Sequence, residues 1–424
     1  MRIKRRSCLP NSRSRRNRVR AMVALKNKKK KKKAESNANH KEEAMPLPFL
    51  PEHPVVQILS KLPVKSLLQF KCVSKPWRSL ISDPSFIKTH LSQSVTKSVL
   101  IATSRPPYRL YTISFGSAGN DIVESKIEFL FQNIKPHPRC RIVGSCNGLI
   151  AMDVKFGIYH KQNYGVDFRS IYVFNPSTRE SLQIPWKSLH YLNGFGYDQC
   201  SDDYKLVSTS HDSMYVYSLR IGSWRKVYHP RDLDFCVITN GIQLNGALHW
   251  LSITDNKPDM PLEIAALSLV DEKLSKIPLP TSLTNFERRT CQIGLFEGCL
   301  CLIPRRHDAF WVMKEYGVKQ SWTKLDVKVP FVPFAYMLES LGMLRNDEGL
   351  LLINRSKLVL YNTREGTNRD LVIHDFKEGV NFNAMIYNTG EGTNRDLVIP
   401  DFKEEVNFNA MIYVDSLLSP FMKM

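Results

Sequence analysis

Between residues 50 and 91 apolar side chains recur every three or four positions. Beyond about residue 95 that spacing gives way to short apolar or alternating runs broken by Gly, Pro, Asn and Asp. The first pattern predicts a set of short helices. Pro51 and Pro54 fit a first turn, where a missing amide hydrogen costs little, and Val55, Ile58, Leu59 and Leu62 follow at helical spacing. Pro63 stops that helix and opens a second carrying Val64, Leu67, Leu68, Phe70 and Val73. Ser74 is a good N-cap for a third helix with Pro76 in its first turn and Trp77, Leu80 and Ile81 along it. Asp83 and Pro84 repeat the start signal before Phe86, Ile87, His90 and Leu91. Between Leu47 and Leu91, 20 of 45 residues are apolar, more than so small a unit can enclose, so the surplus should be covered by something else.

The second pattern keeps a beat. NGLIAM at 147, NGALHWL at 245, EGCLCLI at 297 and EGLLLIN at 348 set Gly148, Gly246, Gly298 and Gly349 at intervals of 98, 52 and 51 residues. Trp224 and Trp322, in VYSLRIGSWRKV and WVMKEYGVKQSWTKL, also lie 98 apart. A unit of about 50 residues with several strands each is the mark of a kelch-like β-propeller, with room for six units from 97 to 415. A large sandwich is the alternative, but it would not need the beat. The fold expected is therefore multidomain α + β: a helical module over 46–92, then an all-β propeller over 97–415 whose face loops offer a platform for another protein.

Charge changes the picture only at the front. Of the formal +20, residues 1–45 hold 17 Lys and Arg against three acids, leaving about +6 for the other 379 residues. That segment has no periodicity and should be a disordered basic leader. Its clusters Arg13–Arg20 and Lys28–Lys33 suit nuclear import or nonspecific, salt-sensitive polyanion binding, and no aromatic residue is present to stack on bases. A solvated leader without a partner and an organelle transit peptide are the other readings. No secretory h-region and no membrane-length apolar run is found. Nine scattered cysteines without a CxxC pair suit a reducing compartment, and Cys299 and Cys301 should share one face of a strand as buried thiols. Residence in the nucleus or cytoplasm follows as an expectation.

Candidate chemistry is sparse. Gly144-Ser145-Cys146-Asn147-Gly148 has the form of a nucleophile elbow, but a strand rather than a helix should follow it. His249, beside Trp250 in a strand, reads as a packed or hydrogen-bonded residue. Gly194-Phe195-Gly196 is too short for a phosphate loop, and Asp198, Asp202 and Asp203 read as a solvated acidic turn without the pattern of a calcium loop. No cofactor and no metal site is expected.

The helical stretch resembles the F-box, the three-helix module by which substrate receptors attach to the Skp-type adaptor of a cullin-RING ubiquitin ligase. The likeness rests on an opening Leu-Pro, an Ile-Leu pair, a second Leu-Pro, Lys-Ser-Leu-Leu, then Phe-Lys-Cys-Val-Ser-Lys before Trp-Arg-Ser-Leu-Ile. It implies that Leu50, Pro51, Ile58, Leu59, Leu62, Pro63, Leu67, Leu68, Val73 and Trp77 form the adaptor-facing and supporting apolar set; Pro54 and Pro76 depart from the usual pattern. An ordinary helical subdomain packed on the rest of the chain is the alternative. Over 97–390, GSCNGLI, VFNPSTRESLQIP, GFGYDQCSDDYKLV, VYSLRIGSWRKV, NGALHWL and ALSLVDEKLSKIPLP resemble, in order, the F-box-associated domain of plant proteins. Together these imply a non-catalytic receptor that docks the adaptor, and through it cullin, while the β domain holds an unspecified protein substrate for ubiquitination. A nucleic-acid-associated or scaffold protein acting through the basic leader, and a propeller enzyme using Cys146 or His249, are the competing readings.

Residues 361–386 recur at 387–412 with 23 of 26 positions identical; Arg364, His374 and Gly379 become Gly390, Pro400 and Glu405. A closed ring has one slot for a closing segment, so one copy should complete the last blade and the other form a C-terminal hairpin or tail open to proteolysis.

Overall fold

The structure is a computed structural model describing residues 52–94, 97–104, 108–115, 122–128, 130–131, 138–156, 168–185, 191–209, 213–227, 235–237, 239–254, 262–284, 291–304, 309–326, 338–344, 348–353, 355, 357–371 and 408–422. The chain divides into two compact units, Met1–Gln57 and Ile58–Met424. In the first, residues 52–57 begin helix α1 (Glu52–Leu59). The second carries the rest of α1, then α2 (Val64–Phe70), α3 (Lys75–Ser82) and α4 (Pro84–Gln93). The helix starts are those the prolines and caps predict. Ser74 Oγ accepts from the Trp77 amide (3.3 Å), and Asp83 Oδ1 accepts from the amides of Ser85 (2.9 Å) and Phe86 (3.2 Å).

The strands then form six antiparallel sheets. Blade 1 holds β1 (Lys97–Thr103), β2 (Leu110–Phe115) and β3 (Ile122–Lys126). Blade 2 holds β4 (Arg139–Cys146), β5 (Leu149–Phe156), β6 (Phe168–Asn175) and β7 (Glu180–Ile184). Blade 3 holds β8 (Tyr191–Asp198), β9 (Asp203–Thr209), β10 (Met214–Ser218) and β11 (Ser223–Val227). Blade 4 holds β12 (Phe235–Val237), β13 (Ile242–Leu244), β14 (Ala247–Thr254), β15 (Leu262–Ser268) and β16 (Leu274–Ile277). Blade 5 holds β17 (Gln292–Phe296), β18 (Cys299–Ile303), β19 (Ala309–Met313) and β20 (Trp322–Asp326). Blade 6 holds β21 (Leu338–Met343), β22 (Glu348–Ile353), β23 (Lys357–Asn362) and β24 (Thr367–Leu371). The last strand, β25 (Phe408–Val414), returns to pair with β1. Inner strands neighbour one another in the cycle β25, β4, β8, β13, β17, β21 and back to β25, so the sheets close a six-bladed ring.

The recurring glycine signal has a physical cause. Asn147-Gly148, Asn245-Gly246 and Glu297-Gly298 all have positive φ, as a two-residue hairpin turn requires, and each launches the strand that pairs with its blade's inner strand. That strand packs a blade on both sides, so it reads as an unbroken apolar run rather than an alternation. In β22, Leu350 and Leu352 pack toward blade 1 with Val99, Ile101 and Phe408, while Leu351 and Ile353 pack toward blade 5 with Cys301 and Phe310. Cys299 and Cys301 do share the side of β18 that faces blade 6. The fourth copy differs: Glu348-Gly349 already lies in β22, with Gly349 opposite Met343. The missing beat in blade 3 is the longer turn between β8 and β9, where Asp202 takes the positive φ.

The duplicated segment does not divide as the sequence suggests. The first copy supplies the end of β23 and all of β24, the second supplies Phe408–Ile412 of the closing strand, and residues 372–407 lie outside the described residues. The C-terminal end is part of the ring rather than a tail. Phe408 and Tyr413 are buried, and beyond the strand Ser416, Leu417 and Leu418 are buried too. Asp415 accepts from the hydroxyls of Ser98 (3.1 Å) and Ser177 (3.0 Å), and Asn175 Nδ2 donates to the carbonyls of Ser416 (3.0 Å) and Leu418 (2.8 Å). The tail thus bolts blade 1 to blade 2 at the point of closure.

Candidate functional site

The helices divide the sequence-predicted apolar set into a core and a surface. Leu59 and Leu67 are buried, with Val64, Ile81, Phe86 and Ile87. Leu62, Leu68 and Trp77 are half-buried, Pro63 is exposed, and Leu50 and Pro51 lie outside the described residues. Ile58 and Val73 are 58% and 66% exposed, among the most exposed large apolar side chains of the described residues. Trp77 stands edge-on to Phe70, ring centroids 5.2 Å apart, which fixes the angle between α2 and α3. Ser60 Oγ donates to Gln93 Oε1 (2.9 Å), and His90 Nε2 meets the Leu62 carbonyl at 2.9 Å, so α4 clamps the segment between α1 and α2. The result is a capped helical scaffold on which Ile58 and Val73 are exposed and Leu62, Leu68 and Trp77 are half-buried. Burying each large apolar group in a partner is worth about 1.5–3 kcal/mol.

Within the same unit, α4 is tied to the tight-turn end of the propeller. Lys88 Nζ lies 2.5 Å from Asp202 Oδ2 in the β8–β9 turn, and Ser94 Oγ donates to the Asp415 carbonyl (3.1 Å). Hydrogen bonds from Lys88 and Tyr197 hold the Asp202 carboxyl below the usual range. No local pattern announces these contacts, because the partners are 114 and 321 residues apart in sequence. The acidic turn is therefore not simply solvated. Asp198 is buried against Lys205 (2.9 Å), and Asp203 is buried, accepting from Ser218 Oγ and from the Arg220 amide (2.9 Å).

The positions weighed for catalysis serve structure. Asn147-Gly148 is a turn between two strands, and its Asn147 amide donates to Tyr204 Oη (3.0 Å). Burial pushes the Cys146 thiol up to about 12, so at neutral pH it is not the thiolate a nucleophile needs. His249 is fully buried between the Ile242 carbonyl (3.2 Å) and Tyr316 Oη (2.6 Å), and burial holds its imidazole down at about 4. Leu248 and Trp250 close over Gly194, where a phosphate loop would need open space. Among the described residues no group of three His, Cys, Asp or Glu could hold a metal, and no helix is long and apolar enough to cross a membrane.

Comparison with known proteins locates both parts. The F-box domain model matches residues 47–89 and the F-box associated beta propeller domain model matches residues 100–397. The F-box protein CPR1 of Arabidopsis thaliana is 28% identical over 370 residues, covering 77% of this chain and 85% of the relative. The F-box/kelch-repeat protein At3g23880 of the same plant is 28% identical over 344 residues, covering 75% and 88%. Among solved structures, a puromycin-hydrolysing peptidase of Mycobacterium tuberculosis aligns at 11% identity and a TM-score of 0.36, covering 64% of this chain and 44% of that one.

Proposed function

From the premise that this chain belongs to the plant F-box proteins with an F-box-associated β-propeller, we propose that it is the substrate-recognition subunit of a Skp-cullin-F-box ubiquitin ligase. Family membership makes it a non-catalytic adaptor in general kind. The finer reading is that Ile58, Leu62, Pro63, Leu68, Val73 and Trp77 dock a Skp-type adaptor over the buried support of Leu59 and Leu67; Leu50 and Pro51, which the resemblance adds to this set, lie outside the described residues. The observation that carries it is the exposure of Ile58 and Val73 on a module whose own core is already filled. An apolar side chain left in water on a scaffold this well capped gains free energy only when a partner covers it. The propeller then holds a protein target near the ligase's conjugating enzyme, and its contribution to rate is proximity. Residence in the nucleus or cytoplasm fits the free cysteines and the basic clusters of residues 1–45.

The test is capture by purified Skp-type adaptor. Ile58→Ser with Val73→Ser should abolish capture while leaving thermal stability close to wild type, because both side chains are exposed. Leu67→Ala should lower stability by about 2–5 kcal/mol, as a fully buried leucine does. Undiminished capture by the Ile58/Val73 variant would overturn the docking surface.

A further inference from the structure

Blade 2 sets three cations in one row. Arg139 of β4 stands directly opposite Lys155 of β5, and Lys155 directly opposite Arg169 of β6. Residues directly opposite across antiparallel strands project to the same side of the sheet, so the three charges are neighbours, and like charges so placed destabilise a sheet. One row deeper on the same side stand Arg141, Asp153 and Ile171, and there the charge is answered. Arg141 Nη2 lies 3.1 Å from Asp153 Oδ2 and 2.6 Å from the Leu192 carbonyl, and Nη1 donates to Asn240 Oδ1 (2.6 Å). No described carboxylate pairs with Arg139, Lys155 or Arg169. Instead the Arg169 guanidinium lies 4.6 Å from the ring centroid of Tyr191, which opens β8 and is 56% exposed. Arg139 is exposed, and Lys155 and Arg169 are half-buried.

The row also lies at the right end of the ring. Arg139 and Cys146 bound the eight residues of β4, so the cations stand roughly 25 Å from the Asn147-Gly148 turn and from the tight-turn end that α4 occupies. They are on the end bearing the longer connections between strands.

We propose that the Arg139–Lys155–Arg169 row, with Tyr191 as a flanking platform, is the subsite of the propeller that grips an oxyanion group on an extended acidic segment of the target: a phosphorylated serine or threonine, or a cluster of carboxylates. Two guanidinium forks around a central ammonium match an oxyanion bidentately, and its arrival removes the repulsion within the row. Arg141 is already neutralised by Asp153 and takes no part. This rests on the receptor reading above and deepens it by naming the class of substrate.

The test uses the full chain and three bead-bound peptide libraries with random flanks around a central phosphoserine, a central Glu-Glu or a central Ser, with oligothymidylate beads beside them. Wild type should be retained on one or both acidic libraries at least roughly tenfold better than on the serine library. The phosphoserine and Glu-Glu arms tell which oxyanion is preferred. The triple change Arg139→Gln, Lys155→Gln, Arg169→Gln should erase that preference while adaptor capture stays intact. Its thermal midpoint should equal or exceed wild type, since repulsion is removed; if it falls, Arg139→Gln alone, at the exposed end of the row, replaces it. Equal retention on all libraries, a preference the triple change leaves standing, or retention of oligothymidylate alone through these residues would each overturn the proposal. Adaptor capture is scored separately, so loss of capture with a standing acidic preference refutes the receptor reading and not the subsite.

Discussion

Trp224 and Trp322 make the same hydrogen bond in two different blades. Each lies at or near the start of the outermost strand and donates its indole N–H to a prolyl carbonyl just past the end of the preceding blade's outer strand, Pro185 at 2.9 Å and Pro278 at 2.8 Å. The 98-residue beat is thus the repeat of an interblade staple, spaced by two blades. Replacing Trp322, which is buried, by Phe should cost about 1–3 kcal/mol by leaving the Pro278 carbonyl without its donor. Trp224 is less buried, so Trp224→Phe should cost less because water can replace the indole. Denaturant unfolding of the two variants measures the difference.

A second staple is ionic. Lys205 is buried between Asp198 (2.9 Å) and Glu272 (3.1 Å) and donates to the Leu269 carbonyl, while Arg225 closes on Glu272, so a charge cluster joins blades 3 and 4. Burial alone would raise the Asp198 carboxyl, but Ser201 and Lys205 hold it below the ordinary range. Lys205→Met should destabilise by about 3–5 kcal/mol, because it leaves buried Asp198 without its cation and Glu272 with Arg225 alone. Restoring stability by adding Asp198→Leu and Glu272→Leu would show the loss is one of unpaired charge.

His249 gives the ring a pH dependence of defined sign. Its folded value of about 4 lies below the ordinary 6.5, so the unfolded chain binds the extra proton first. The stability His249 contributes is present in full above pH 6.5 and drains away as pH falls toward about 4, by roughly 3 kcal/mol at most. A pH series of unfolding free energies should show this slope in wild type and lack it in His249→Gln.

Closure is sensitive at one glycine. Gly148 has φ +85, and a Cβ there would strike Ser416 and the Val414 carbonyl. Gly148→Ala should therefore expose the C-terminal residues to carboxypeptidase, whereas Gly246→Ala, in an equally left-handed turn with open space around it, should cost only the backbone strain of about 1–2 kcal/mol.

What was legible in the chain was whatever is settled within a few residues. Ser74, Asp83 and the prolines fix helix starts by contacts two or three positions away, and the Asn-Gly turns with their apolar runs fix the second strands of the blades. The exposed and buried halves of the F-box set were not legible, because Ile58 and Leu59 are equally apolar and only packing separates them. The same holds for Lys88 with Asp202 and for the cation row: Arg139, Lys155 and Arg169 come together through strand register, which no single stretch of sequence displays.

The split use of the tandem copies has a consequence for how this protein tolerates change in its own length. Between Leu371 and Phe408 the chain spends 36 residues, and removing one repeat unit of 26 leaves ten, within the range of the other connections between blades. Because the flanking sequences are near copies, excising 26 consecutive residues almost anywhere within 361–412 rebuilds the same two strands around the same shorter connection. Losing one unit should therefore leave both strands their own sequence: the duplication spans the seam at which the ring closes.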